Sequence, residues 1–62
     1  MDKQKILKLV DQYATALVAV HVESEYYNNA KNDQQAARSL VRKVNAENIF
    51  RDLYRQIEEA LQ

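Results

Sequence analysis

The sequence predicts an all-α protein folded as an antiparallel helical hairpin. Its 62 residues include no glycine, no proline and no cysteine, so the residues that most often form sharp turns or disulfide bridges are missing. Apolar residues make up 47% of the chain and recur at spacings of three and four, which is typical of amphipathic helices. We predict a helix over about residues 2–28, a turn over about 29–32 and a helix over about 33–61.

The first helix is predicted to begin after Asp2, whose side chain can cap the free backbone amides of the first turn. Beyond it, apolar residues alternate by threes and fours as in a coiled coil, with Ser24 in the one polar position. We expect this stripe to form the core or a dimer interface; it consists of Ile6, Val10, Tyr13, Leu17, Val20 and Tyr27. Residues 17–22 also resemble a β-strand, but the rest of the chain offers no good pairing partner for one.

Asparagine residues mark the predicted turn. Asn28 and Asn29 can end the first helix, because asparagine is the residue that best replaces glycine in a left-handed C-cap. Asn32 can cap the second helix, with Gln35 reaching back as in a capping box. The two helices are then of nearly equal length and joined by a short loop, which favours an αα-hairpin.

The second helix carries apolar residues on two opposite faces. The first face holds Ala36, Ala37, Leu40, Val41 and Val44, and the second holds Ala46, Ile49, Phe50, Leu53, Ile57 and Ala60. The change of face occurs at Asn45, where the helix either continues or breaks and a third helix begins. We favour one continuous helix, because good helix formers lie on both sides of Asn45. We expect Leu40 and Val44 to pack on the first helix, which leaves the second face for a partner.

The size of the chain predicts self-association. A domain of about 60 residues buries only roughly 60% of its extended-chain surface, and the apolar gain then barely exceeds the loss of chain entropy. The chain has no disulfide and no cysteine-based metal site to compensate. We therefore expect a homodimer in which two hairpins form an assembly like a four-helix bundle.

The leading functional hypothesis is a small protein-binding regulator or inhibitor that acts through a helix face on a larger protein target. Apolar and aromatic side chains are the usual anchors of such docking. The residues predicted to contact the target are Phe50, Leu53, Tyr54, Ile57 and Tyr26.

The alternative hypothesis is a dimeric regulator that binds RNA or DNA. Lys31, Arg38 and Arg42 form a basic stripe along which a phosphate backbone could lie. The net charge of the chain is zero, however, so long-range attraction of nucleic acid is weak. Nucleic-acid binding would weaken steeply with salt, whereas apolar docking would not.

No reactive constellation is found in the sequence. Loops that cradle phosphate need glycine and thiol chemistry needs cysteine, so we expect no enzymatic activity, no catalytic residues and no cofactor. His21 and Glu25, one helical turn apart, could contribute to a metal site in a dimer. A single histidine at the edge of an apolar face is more often a boundary residue with a hydrogen bond, and we predict no metal site.

The sequence favours a cytoplasmic protein that does not insert into a membrane. Lysines near the start are followed by residues 6–10 of apolar character, but Asp11 and Gln12 interrupt any export-type segment. The longest uncharged stretch, residues 12–22, is about half of the length that a membrane span requires.

Overall fold

The computed structural model describes residues 2–62 and contains two α-helices. Helix α1 is Lys3–Asn28 and helix α2 is Asp33–Leu61. The helices lie antiparallel against each other, so the predicted all-α hairpin is confirmed. Helix α2 continues through Asn45 without a break, as we favoured, and residues 17–22 are helical rather than extended.

Side-chain caps begin both helices. An Oδ of Asp2 accepts hydrogen bonds from the backbone amides of Gln4 and Lys5, at 3.0 and 3.2 Å. Asn32 accepts one from the amide of Gln35 at 2.8 Å. The Gln35 side chain reaches back, but it accepts from the amide of Lys31 rather than from that of the capping residue. Both predicted start signals therefore act by satisfying amides that the helix itself leaves free.

The end of α1 differs from the prediction. Asn29 has a φ of −101° and a ψ of 12°, and no residue between 2 and 62 has a positive φ. The predicted left-handed cap is therefore wrong. The chain leaves α1 through a right-handed turn, in which the Asn29 amide donates to the Glu25 carbonyl at 3.0 Å and the Ala30 amide donates to the Tyr27 carbonyl at 3.3 Å. These bonds give hydrogen-bond partners to two carbonyl groups at the end of the helix, and no residue with a positive φ is needed.

The two helices meet along a seam of buried and half-buried residues that recur by threes and fours. In α1 the seam residues are Ile6, Leu9, Tyr13, Ala16, Val20, Glu23 and Tyr27; in α2 they are Ala36, Ser39, Lys43, Ala46, Phe50, Leu53, Ile57 and Ala60. This spacing is that of an antiparallel coiled coil. The rings of Tyr13 and Phe50 stack with centroids 4.6 Å apart, which fixes the register of the two helices.

Helix α1 uses a different stripe from the one we expected. Ile6, Tyr13 and Val20 lie in the seam, but Leu9 and Ala16, each 7% exposed, complete it. The predicted Val10 and Leu17 flank the seam instead, at 45% and 38% exposure. Both stripes have spacings of three and four and share four residues, Ile6, Tyr13, Val20 and Tyr27, so the sequence pattern did not distinguish them.

The two faces of α2 are also exchanged relative to the prediction. Phe50, Leu53 and Ile57 face α1, whereas Leu40 and Val44 are each 43% exposed and do not pack in the seam. The expected packing of Leu40 and Val44 on α1 within one chain is therefore wrong. The larger apolar residues of α2 pack inside because they remove more apolar area from water.

Candidate interaction surfaces

The seam divides the hairpin into two sides with different surfaces. In an antiparallel helix pair, residues that directly follow seam residues in the two helices can share one side, and residues that directly precede seam residues share the other. Val10 and Leu17 follow Leu9 and Ala16, and in α2 Leu40, Glu47 and Tyr54 follow Ser39, Ala46 and Leu53. Gln12, Ala19, Arg42 and Ile49 are among the residues that precede the seam.

We call the first side the flat face. It comprises Val10, Ala14, Leu17, Leu40, Val44, Glu47, Arg51 and Tyr54. Five of these residues are large and apolar or aromatic and are partly exposed. The Tyr54 ring lies 6.2 Å from that of Tyr13, so this tyrosine extends the aromatic packing of the seam onto the face. An apolar surface that runs along both helices is typical of a protein interface.

The second side contains an open groove. Its largest section has a volume of about 810 Å³ and is lined by Lys8, Asp11, Gln12, Thr15, Ala16, Ala19, Asn48, Ile49, Asp52 and Leu53. A second section of about 300 Å³ continues along Ala16, Ala19, Glu23, Arg42, Asn45, Ala46 and Ile49. The groove exists because small side chains, Ala16 and Ala19, lie opposite the larger Ile49. Such a groove can accept a ridge of side chains from another helix.

An ion pair closes the groove toward the turn. The Arg42 Nε donates to Glu23 Oε2 at 2.7 Å, and its Nη2 donates to Ser39 Oγ at 3.3 Å. The stack of Tyr13 on Phe50 sets the register of the two helices, and in this register Arg42 lies within reach of Glu23.

A charged ladder lies near the end of α2. Arg55 donates to Asp52 Oδ1 at 2.5 Å and to Glu59 Oε1 at 2.8 Å, and Gln56 donates to Asp52 Oδ2 at 2.8 Å. The hydrogen bond from Arg55 is the main cause that lowers the pKa of Asp52 from its ordinary value. The hydrogen bond to Asp52, followed by the one to Glu59, raises the pKa of Arg55. Asp52, Arg55 and Glu59 are exposed, so their ion pairs contribute little to stability.

The predicted target-contacting residues do not form one surface. Phe50, Leu53 and Ile57 are half-buried in the seam, and Leu53 alone reaches the groove wall. Tyr54 lies on the flat face, 52% exposed. Tyr26 lies on the groove side near the turn and is 59% exposed. Sequence reasoning missed Ala19 and did not include Ile49 among the target-contacting residues, although it placed Ile49 on the face left for a partner. Their position before seam residues identifies the groove once the seam is known.

The predicted basic stripe is only partly available. Arg38 and Arg42 line one cavity of about 310 Å³ together with Tyr26, but Lys31 does not line it. Arg42 is already bound to Glu23. Lys43, the next residue, places its Nζ 5.3 Å from the centroid of the Tyr27 ring and so lies toward the seam. Of the two arginines, Arg42 therefore has an ion pair within residues 2–62 and Arg38 has none.

No group of three or more potential metal ligands comes together within residues 2–62, which include His21 and Glu25. Neither α1 nor α2 has a stretch apolar enough, over the necessary length, to cross a bilayer.

Comparison with protein-family models, with curated proteins and with solved structures finds no match for this chain.

Proposed function

We propose that the protein is a small, cytoplasmic, non-enzymatic regulator that binds a larger protein target. The observation that carries this proposal is the open groove on one side of the seam, with Ala16 and Ala19 on one helix and Ile49 on the other. A helix of the target could place its apolar side chains in this groove. It would then pack on the hairpin as a third helix.

The edges of the groove can orient such a helix. Lys8, Asp11 and Asp52 line its largest section, so both signs of charge border an apolar floor. Charged edges of this kind select among partners and fix the direction of docking, while the apolar floor supplies most of the affinity. This division of roles fits a protein that acts by contact.

The alternative function, nucleic-acid binding through Lys31, Arg38 and Arg42, has less support. Arg42 donates to Glu23 at 2.7 Å, so its charge is already compensated within the hairpin. A phosphate would have to compete with that carboxylate.

A pair of matched variants tests the proposal. Ala19→Arg places a long side chain in the groove, and Val18→Arg makes the same change of charge one residue away, where the side chain points away from the seam and is 61% exposed. The tagged 62-residue chain and both variants are used to capture partners from the native host, and protein and nucleic acid are both analysed. Circular dichroism of each variant checks that the helices remain folded.

The proposal predicts one protein that is retained by the wild type and by Val18→Arg and is lost with Ala19→Arg. Its retention should change little with salt or nuclease treatment. Recovery of nucleic acid with a steep, log-linear dependence on salt would instead establish the alternative. Equal capture by both variants would show that the groove is not the binding surface.

A further inference from the structure

The hairpin exposes more surface than a compact protein of its mass. Its accessible surface is 5035 Å² for 7.3 kDa. Folded monomers of that mass expose about 4,200 Å² according to the usual scaling. The excess is roughly 800 Å², which equals the area that one partner buries in an interface of standard size.

The flat face is large enough to bury an area of this size. The molecule measures 48 × 14 × 10 Å along its principal axes, so its broad side covers about 670 Å² (48 × 14), close to one half of a standard interface. Apolar residues lie along much of this side, from Val10 and Tyr54 at one end to Leu40 at the other. Only two apolar residues of the hairpin, Leu9 and Ala16, are buried among those described.

Two charged residues interrupt the apolar surface near its middle. Glu47 is half-buried and Arg51 lies one helical turn beyond it on the same face. Glu47 and Arg51 are four residues apart in α2, but the ion pairs within residues 2–62 are Glu23 with Arg42 and Arg55 with Asp52 and Glu59. Neither Glu47 nor Arg51 therefore has an ion pair within the part of the chain that the structure describes.

We propose that the flat face binds a second copy of the chain, with the two hairpins antiparallel and related by a twofold axis between Glu47 and Arg51. A twofold interface brings the same surface of each copy together, so each Glu47 faces the Arg51 of the other copy. The flat face is thus complementary in charge to itself.

The same axis gives a consistent arrangement of the apolar residues. The stack of Tyr13 on Phe50 places Ala14 beside the middle of α2, so this small residue lies at the axis and lets the two α1 helices approach closely. Val10 then lies opposite Leu17 of the second copy, and Val44 lies opposite its Tyr54. This arrangement covers partly exposed residues on both helices.

The opposite orientation is less favourable. If the twofold axis ran along the hairpin, α2 would pack on α1 of the second copy, with Glu47 and Arg51 near Ala14 and Leu17. The two charges would then lose water to apolar neighbours without gaining a partner of opposite sign. Charge complementarity therefore selects the antiparallel orientation.

Mixing two charge variants tests the orientation. Glu47→Lys alone should repel Arg51 of the second copy, and Arg51→Glu alone should repel its Glu47. In a mixture of the two variants, both contacts across the interface become attractive. We expect each variant to dimerise about tenfold more weakly than the wild type, and the heterodimer to regain that loss. The masses of the variants differ, so native mass spectrometry counts homodimers and heterodimers directly.

A matched pair on the exposed ladder provides the control. Arg55→Glu and Glu59→Lys also reverse charges one helical turn apart, but those residues are outside the flat face. A mixture of these two variants should contain the statistical share of about half heterodimer. The proposal expects a clear excess of heterodimer for the Glu47 and Arg51 variants.

Two results would overturn the proposal. A statistical mixture for the Glu47 and Arg51 variants would exclude the antiparallel orientation. A clean 7.3 kDa monomer of the wild type with full helicity at micromolar concentration, measured by sedimentation equilibrium, would exclude the dimer itself. The groove lies on the other side of the seam from the flat face, so Ala19→Arg should leave self-association unchanged. Both measurements are therefore independent of target binding.

Discussion

The half of the hairpin near the chain termini and the half near the turn have different seams. We call residues 6–16 and 46–60 the terminal half and residues 20–43 the turn half. The terminal seam is apolar and contains the stack of Tyr13 on Phe50. The turn seam contains Glu23, Ser39 and Lys43, and Ser39 is its most buried side chain, at 4% exposure.

This difference separates two sources of stability. The terminal half buries apolar area, which stabilises a chain by about 25 cal/mol for each Å². The turn half depends on polar contacts, namely the Glu23 and Arg42 ion pair and Lys43 beside the Tyr27 ring. Exposed polar contacts contribute roughly 1 kcal/mol or less each. The terminal half should therefore carry most of the stability of a single hairpin.

The largest effect that this comparison predicts follows removal of the central ring in the terminal half. Phe50→Ala should lower the free energy of unfolding by about 3 kcal/mol, because it removes the stack on Tyr13 and leaves a gap in the seam. Urea denaturation followed by circular dichroism measures the loss. Much of the loss should persist as the protein is diluted, since the contact lies within one chain.

The neighbouring Ile49 provides the control for this prediction. It is 58% exposed, so Ile49→Ala should change the free energy of unfolding by less than about 1 kcal/mol. If the two variants unfold alike, the terminal seam does not carry the stability assigned to it.

A smaller effect is expected from replacing a polar seam residue in the turn half. Lys43→Leu continues the apolar spacing of Ala46 and Phe50 toward the turn and should raise the free energy of unfolding by about 1 kcal/mol. The loss of the contact between Lys43 and the Tyr27 ring offsets part of this gain. Thermal unfolding should show a higher midpoint.

Lys31→Leu removes the same charge in the turn, outside the seam, and serves as the control. It should leave the midpoint nearly unchanged. A lower midpoint for Lys43→Leu than for the wild type would mean that the polar contacts of the turn half contribute more than apolar burial there.

How much could be predicted from the sequence also differs between features. The hairpin and both side-chain caps follow from local signals: spacing by threes and fours, and Asp2 and Asn32 before the helices. The face of each helix that turns inward is a property of the pair. Helix α1 has two stripes that share Ile6 and Tyr13, and only the position of Phe50 on the other helix selects between them.

The groove and the flat face could not be predicted from the sequence either, because their positions depend on which residues form the seam. Once Leu9 rather than Val10 is assigned to the seam, Ala19 moves to one side and Leu17 to the other. A choice between adjacent residues thus determines which surfaces are exposed. The sequence shows that the apolar residues of α2 change face at Asn45. It does not show which face packs on α1: Leu40 and Val44 were expected there, and Phe50, Leu53 and Ile57 take that place.

The smallest effect expected concerns the exposed ladder at the end of α2. Hydrogen bonds from Arg55 and Gln56 lower the pKa of Asp52 from its ordinary value of 3.8. A carboxyl group with a lowered pKa in the folded state stabilises that state above its unfolded pKa, and this contribution is lost as the pH falls through the folded pKa. The stabilisation is therefore present at neutral pH and fades below about pH 4.

Asp52→Asn tests this contribution, because it removes the charge and keeps the size of the side chain. The variant should be slightly less stable than the wild type at pH 7, and the difference should shrink as the pH falls below 3.8 and as salt is added. Urea denaturation at several pH values measures the difference, with Asp33→Asn as the matched change at the start of α2. A deficit of Asp52→Asn that stayed constant down to pH 2 would show that the ladder acts by hydrogen bonding that does not require the charged carboxylate.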